Sequence, residues 1–159
     1  MKQDRFLTGI LMGIGVLILL ALGLFFMRKG TKEYKTADSP EAAVFNYVLA
    51  ITKKDYKTAY PYLAEKANKP TYEQFRQSFF SGNVNAENVG VDIGKTEIDG
   101  DAALVDLTLV YSSNDPFSGG YNNTDRAQLL KQSGEWKITY MPYNFWSYDW
   151  YPQATPSIP

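Results

Sequence analysis

The residue types on which most enzyme chemistry rests are missing from this chain. Its 159 residues include no histidine and no cysteine. Histidine-based general bases, nucleophiles and metal sites are therefore excluded, as are thiolate chemistry and disulfides. The remaining candidates for acid–base work are carboxyl groups and tyrosine hydroxyls, and their positions on strands and helices decide whether they can share a site.

The carboxyl groups are predicted to point away from the interior. Asp92 and Asp106 each lie between apolar residues in segments that alternate with a period of two, which is typical of β-strands. If the apolar neighbours face the core, both aspartates face the opposite side of the sheet, and only a one-residue bulge would reverse this. Asp125 and Arg126, at the start of a later strand, are the charged residues expected to reach the mouth of the fold.

Aromatic side chains are the better candidates for a ligand site. Seven are predicted to line a pocket or to form its lid: Tyr47, Tyr60, Tyr111, Trp136, Tyr140, Trp146 and Trp150. None of the hydroxyls has an evident base beside it. We therefore assign no catalytic residue, and we expect neither a metal nor a cofactor.

Aromatic residues are most concentrated in residues 140–152, where they occupy seven of 13 positions. The favoured interpretation is that this segment folds back over the open end of the domain and completes its core. Two alternatives stay open. The segment forms a recognition surface for sugars, flat ligands or peptides, or it lies at a membrane interface, where Trp and Tyr concentrate.

Helices are predicted to come first in the domain that carries these residues. Ser39, Pro40 and Glu41 have the cap, first-turn and dipole properties that begin a helix. A second helix is predicted from Asp55 to about residue 68. Thr71 caps a third, whose apolar side comprises Tyr72, Phe75, Phe79 and Phe80.

Strands follow. They are predicted at residues 89–93, 103–111, 125–132 and 136–140, with turns at 99–100 and 133–134 and a polar loop at 112–123. Helices followed by an antiparallel meander indicate the α+β class. We expect three helices against one face of a curved sheet of about four strands.

An unbroken apolar run, from Phe6 to Met27, precedes this domain. About 22 helical residues span roughly 33 Å, enough for a bilayer core of about 30 Å. The run ends in bulky residues, Leu24 to Met27, and charged ones follow, where a signal peptidase would need small ones. We predict an uncleaved single-pass signal-anchor at 1–29, a linker at 30–38, one domain at 39–152 and a disordered tail at 153–159.

The rules for membrane orientation disagree. More basic residues follow the run than precede it: Arg28, Lys29, Lys32 and Lys35 against Lys2 and Arg5. This count favours a cytoplasmic domain, whereas the signal-like N-terminus favours export, and long domains translocate largely regardless of charge. We favour a cell-membrane protein with an extracytoplasmic domain.

Three short segments carry a resemblance to a known superfamily. They are Ser-Pro-Glu-Ala-Ala at 39–43, Asp-Tyr-Lys-Thr-Ala-Tyr at 55–60 and Gly-Glu-Trp-Lys-Ile at 134–138. In this order they resemble bacterial members of the nuclear transport factor 2-like superfamily, the cystatin-like cone shared with ketosteroid isomerases, limonene epoxide hydrolases and scytalone dehydratases. The likeness covers residues 39–140. It implies a cone-shaped fold in a membrane-anchored bacterial member of unknown function.

The resemblance says little about activity, because its motifs are structural. Its isomerases and dehydratases need an Asp or Glu facing the pocket, and the alternation of this chain does not supply one. We therefore expect a non-enzymatic binding or accessory domain. The alternatives are a cryptic enzyme of the ketosteroid isomerase or dehydratase type acting on a hydrophobic small molecule, and a structural subunit of an envelope complex.

The expected partners follow from charge and location. Phe6 to Met27 would contact the bilayer, and the domain would meet a protein or a glycan in the envelope or pair with a second copy. After Lys29 the chain has 12 basic and 16 acidic residues, a net charge of −4. Nucleic-acid binding is not expected, since it needs clustered cations.

Overall fold

The structure is a computed structural model that describes residues 5–28, 32–112 and 119–151. The chain forms two compact units, one ending at Glu33 and the other beginning at Tyr34. The predicted tail at 153–159, residues 113–118 of the predicted loop and part of the predicted linker lie outside the described residues.

The first unit contains one helix, α1 (Arg5–Arg28). Within the described residues, its stretch Leu7–Leu24 is the one that is long and apolar enough to cross a membrane, and none of that stretch is buried inside the protein. The expectation of an N-terminal apolar helix of membrane-spanning length is confirmed.

In the second unit, the chain is already fixed to the domain at Lys35, before the first predicted helix. Asn46, which is 1% exposed, forms two side-chain hydrogen bonds with the backbone of Lys35. Its Oδ1 accepts from the Lys35 N–H at 2.7 Å, and its Nδ2 donates to the Lys35 carbonyl at 2.7 Å. The same Nδ2 donates to the hydroxyl of Tyr62 at 3.1 Å. A buried amide thus has its partners satisfied while it fixes the chain at Lys35.

Helix α2 (Pro40–Thr52) begins where the sequence predicts. The Ser39 hydroxyl accepts from the Ala42 N–H at 3.2 Å, and Pro40 and Glu41 occupy the first turn. The fully buried side of α2 comprises Ala43, Val44, Tyr47 and Ala50, which recur at helical spacing.

The second predicted helix is much shorter than expected. Asp55 caps α3 (Tyr56–Ala59), and one 3₁₀ turn (Tyr60–Tyr62) follows. The prediction of a helix to about residue 68 is wrong. Pro61 has no N–H for the helical ladder, and the Ala64 N–H donates instead to the carbonyl of Ile138 at 2.9 Å.

Helix α4 (Tyr72–Phe80) starts at a capping box. The Thr71 N–H donates to Gln74 Oε1 at 2.8 Å, and the Gln74 N–H donates to Thr71 Oγ1 at 3.3 Å. The apolar side was predicted to include Phe80, but this ring is 65% exposed. At 3.6 residues per turn, Phe79 shares the face of buried Phe75, whereas Phe80 is rotated by about 100° from Phe79.

The four strands form one antiparallel sheet in the order β1-β2-β3-β4. They are β1 (Val89–Asp99), β2 (Ala102–Tyr111), β3 (Tyr121–Gln132) and β4 (Glu135–Tyr140). Helices precede the sheet, and the α+β class is confirmed.

Strand β3 begins earlier than predicted. Asn122 and Asn123, assigned to a loop by their turn-forming composition, pair with Val110 and Leu109 of β2. A Cβ at Gly120 would collide with the carbonyl oxygen of Tyr111, so the chain needs a glycine where it enters the strand. Cross-strand pairing here overrides local propensity.

The two faces of the sheet follow the predicted alternation. Val105, Leu107 and Leu109 of β2 are buried in the core that contains α2. Asp106 lies on the other face, where it accepts from Arg126 Nε at 2.8 Å in an exposed ion pair. Arg126 therefore does not reach the mouth as expected. Its parity on β3 places it on the outer face.

This assignment predicts opposite outcomes for neighbouring substitutions. Leu107→Ala removes a buried side chain and should lower the free energy of unfolding by about 2–5 kcal/mol. Asp106→Asn, which weakens an exposed ion pair, should change it by less than about 1 kcal/mol. Urea unfolding of both variants checks this, and equal effects would show that the face assignment is wrong.

Candidate functional site

The space between the sheet and the helices is filled by the aromatic segment that follows β4. Met141 and Phe145 are fully buried there, and Trp146 and Trp150 are 5% and 2% exposed. A 3₁₀ turn (Tyr143–Phe145) reverses the chain after Pro142 and brings these side chains back over the core. The placement agrees with the favoured interpretation, in which the segment completes the core.

Hydrogen bonds fix this segment to distant parts of the domain. The hydroxyl of Tyr47 donates to the carbonyl of Phe145 at 2.7 Å. The indole Nε1 of Trp150 donates to Ser78 Oγ at 2.9 Å. The polar tips of Tyr47 and Trp150 thus each have a partner, as burial requires.

The rings also pack on one another. Trp150 lies 4.8 Å from Phe75 of α4 and 5.2 Å from Trp146, and Trp146 stacks on Tyr151 at 5.6 Å. These spacings are within the range favoured by aromatic pairs. The cluster connects α4 to the segment that follows β4.

Most of the predicted pocket residues are used in this packing. Tyr47, Trp136, Trp146 and Trp150 are buried, and the half-buried Tyr60 donates its hydroxyl to the carbonyl of Pro70 at 2.8 Å. The structure does not bring these five around a shared cavity among the described residues. Their role in binding a ligand stays a prediction.

The other two predicted residues lie apart, since Tyr111 at the end of β2 pairs with Tyr121 whereas Tyr140 at the end of β4 pairs with Gln128. The Tyr111 hydroxyl donates to Asn144 Oδ1 at 2.7 Å and lies 3.2 Å from the hydroxyl of Tyr143. Its ring stacks on Tyr121 at 4.4 Å, nearly parallel. Burial, followed by the hydrogen bond to Tyr143, raises the pKa of Tyr111 well above its ordinary value.

Asn144 was missed by the sequence analysis. It is 6% exposed, and its Nδ2 donates to the carbonyl of Asn85 at 3.2 Å while its Oδ1 serves Tyr111. The signal available in the sequence was the one side-chain amide in a segment in which seven of 13 residues are aromatic. Such a residue, once buried, needs partners on both ends of its side chain.

A groove of about 720 Å³ opens on the surface between the ends of α2 and α4 and the start of β1. We call it the α4 groove. Its apolar lining includes Ile51, Tyr56, Phe79, Phe80, Val84 and Val89. Tyr56 stacks on Phe79 at 4.7 Å and meets Phe80 edge-on at 5.9 Å. Lys54 and Glu87, paired at 3.3 Å and both 70% exposed, lie on its rim.

No acid–base constellation is apparent within the described ranges. Asp106 is paired with Arg126 on the outer face, and Asp55 caps α3. No three metal-ligating side chains cluster in residues 5–28, 32–112 and 119–151. Asp125 is the carboxylate on the inner face, since it pairs with buried Leu107 across β2 and β3.

The buried hydroxyl of Tyr47 predicts a pH dependence. Burial raises its pKa well above the ordinary value. Because the folded pKa exceeds the unfolded value of about 10, the stabilisation is complete below about pH 10 and is lost as the pH rises further. Tyr47→Phe should lower stability at neutral pH by about 1–3 kcal/mol, because the Phe145 carbonyl loses its donor.

The same variant should also show a shallower loss of stability above about pH 10. Urea unfolding at neutral and alkaline pH measures both effects. Tyr121→Phe, which changes a side chain that is 62% exposed, is the matched control and should leave the neutral-pH midpoint unchanged. An unaltered alkaline slope in Tyr47→Phe would contradict the burial of this hydroxyl.

Comparisons with known proteins found structural similarity at low sequence identity. No protein-family model matches the chain, and no curated protein matches it. Among solved structures, it is similar to a SEC-C motif containing protein from Rhodopseudomonas palustris, with 15% identity, a TM-score of 0.49 and coverage of 67% of this chain and 79% of that one. It is also similar to a function-unknown protein from Mycobacterium tuberculosis, with 18% identity, a TM-score of 0.42 and coverage of 63% and 65%.

Proposed function

We propose that this protein is a single-pass membrane protein whose extracytoplasmic α+β domain has no enzymatic activity and binds a partner protein at the α4 groove. The observation that carries the proposal is the filled interior. Phe145, Trp146 and Trp150 occupy the space in which a cone-shaped fold would hold a small ligand. Recognition therefore takes place at the surface.

The anchor is supported by α1, whose stretch Leu7–Leu24 has the length and apolar character of a membrane span. The extracytoplasmic location is supported by the signal-like start of the chain and by the ability of long domains to translocate regardless of flanking charge.

The form of the α4 groove favours a protein partner over a small molecule. Small-molecule sites are enclosed and bury most of their ligand, whereas this groove is open along the surface and Phe80 on it is 65% exposed. Exposed aromatic side chains that rest on other rings are typical anchors of protein interfaces. The rim carries one charge of each sign, Lys54 and Glu87, which suits a partner segment with apolar side chains and a mixed polar edge.

We further propose that the domain belongs to the nuclear transport factor 2-like superfamily. Support comes from the order of its elements, with the caps at Ser39 and Asp55 before the helices and buried Trp136 on the last strand of the meander. Membership would place this chain among members whose cone is closed by their own side chains.

Photocrosslinking in intact cells of the source organism tests the function. The full chain carries a photoreactive phenylalanine in place of Phe80, or in place of Glu97 as a control whose side chain is 53% exposed on β1 outside the groove. We expect one discrete adduct with another protein from position 80 and none from position 97. Protease added to spheroplasts should degrade the domain and the adduct.

Three results would refute parts of this account. Equal crosslinking from both positions, or none from position 80, would remove the groove as the binding surface. An adduct of twice the mass of the chain would make the occupant a second copy. Full protection from protease would place the domain in the cytoplasm.

A further inference from the structure

We propose that the partner bound at the α4 groove is an extended segment of another protein, and that this segment pairs as an added strand with the outer edge of β1 at residues 89–93. The proposal rests on the function proposed for the groove and adds the way in which the partner is held. The edge supplies backbone hydrogen bonds, and the groove supplies an apolar surface for the partner's side chains.

Strand β1 is an edge of the sheet. In the order β1-β2-β3-β4 it has a neighbouring strand, β2, on one side only. Within the part of the chain that the structure describes, no backbone group of another element pairs with its other side. Unpaired N–H and C=O groups along a strand form a template on which a further strand can add.

The register of β1 and β2 identifies the backbone groups that face outward. Opposite residues of an antiparallel pair alternate between hydrogen-bonded and non-hydrogen-bonded positions. The Ser112 N–H donates to the Asn88 carbonyl at 3.0 Å, so the next residue, Val89, occupies a position of the second kind. By the same alternation, Val91 and Ile93 also turn their N–H and C=O groups away from β2. The backbone groups of these three residues line this half of the edge.

The other half of the edge has features that discourage pairing. The register with β2 shifts between Ile93 and Thr96, an irregularity of the kind that a β-bulge causes, and the nearby Lys95 side chain is 73% exposed. Bulges and lysines keep sheet edges from pairing with other chains. Residues 89–93 contain no lysine and no proline, and their register is unbroken. One half of the strand is therefore protected and the other is open.

The open half is continuous with the α4 groove. Val89 and Gly90 line the groove. The side chains of Val89, Val91 and Ile93 pack against the core on the inner face, yet each is only half-buried. An added strand would cover these aliphatic side chains and place its own inward side chains against the groove.

The outer face of this half favours a basic partner over a second copy of the chain. Gly90 presents no side chain there, and the next outward residue, Asp92, is exposed. None of the ion pairs among the described residues includes Asp92. An outward lysine or arginine on the added strand would pair with this carboxylate, whereas a second copy would bring another Asp92. The occupant is therefore a segment that alternates apolar and basic residues.

A backbone substitution combined with photocrosslinking in intact cells tests the pairing. The full chain carries the photoreactive phenylalanine at position 80 together with Val91→Pro, which removes an outward N–H and leaves the ladder to β2 intact. We expect the yield of the adduct to fall by about tenfold, because a backbone hydrogen bond is lost and the proline ring obstructs the added strand.

Two further substitutions are the controls. Val91→Ala keeps the N–H and should retain most of the adduct. Ile98→Pro removes an outward N–H in the protected half, because Ile98 lies next to the pair Asp99 and Ala102 that closes the hairpin. It should leave the adduct unchanged. Urea unfolding shows whether each variant is folded.

A second crosslinking position makes the test independent of the proline variant. Asp92 lies on β1 outside the lining of the groove, so a photoreactive phenylalanine there meets the partner only if the partner follows the strand. Mass spectrometry should map the adducts from positions 80 and 92 to one segment of the same protein, with alternating apolar and basic residues.

The outcomes distinguish the two proposals. An adduct from position 80 that survives Val91→Pro in a folded domain would overturn the edge pairing and leave the groove as the binding surface. The absence of an adduct from position 92 would do the same, as would adducts that map to separate segments. An adduct of twice the mass of the chain would overturn the choice of partner. The absence of any adduct from position 80 in the otherwise unaltered chain would instead refute the function proposed for the groove.

Discussion

The buried hydrogen bond from the Tyr47 hydroxyl to the carbonyl of Phe145 joins two parts of the chain that are 98 residues apart. Tyr47 is fully buried on α2, so its hydroxyl needs a partner inside the protein. By fixing the backbone at Phe145, the bond sets the path of the residues that follow. Trp146 and Trp150 then pack over the core, and Trp150 reaches Phe75 and Ser78 on α4. Together with the ring contacts from Tyr56 and Tyr60, this packing connects α4 to the core.

A filled interior has consequences for function. Acid–base catalysis in a pocket between the sheet and the helices would require a carboxylate or hydroxyl in reach of the substrate. In this chain the hydroxyls of Tyr47 and Tyr60 donate to backbone carbonyls. Aromatic rings exposed to solvent, such as Phe80, occur instead at the surface. The α4 groove is therefore a place where the domain can meet other molecules.

The elements that the sequence predicted well are those governed by local rules. Ser39 and Thr71 cap helices because a short hydroxyl side chain can reach the free amides of a first turn. Leu107 and Asp106 lie on opposite faces because strand side chains alternate. These features depend on a few neighbouring residues.

The features that were missed depend on tertiary contacts. The chain leaves its helix near Pro61 to pair Ala64 with Ile138, and β3 extends back to Tyr121 because β2 offers a partner. Asn46 and Asn144 read as ordinary polar residues until their partners, Lys35 and Tyr111, are known. For the candidate site, the sequence indicated the aromatic segment and Tyr111. The exposure of Phe80 and the outward position of Arg126 were missed as well, although helix and strand periodicity account for both.

The central claim, that the segment after β4 fills the interior, is tested most directly by tryptophan fluorescence. The chain has three tryptophans, and Trp136, Trp146 and Trp150 are 6%, 5% and 2% exposed. The folded protein should therefore emit at short wavelength and resist quenching by iodide until denaturant unfolds it. Emission at long wavelength with free quenching in the folded protein would show that the segment lies open to solvent, and the interior would then be available to a ligand.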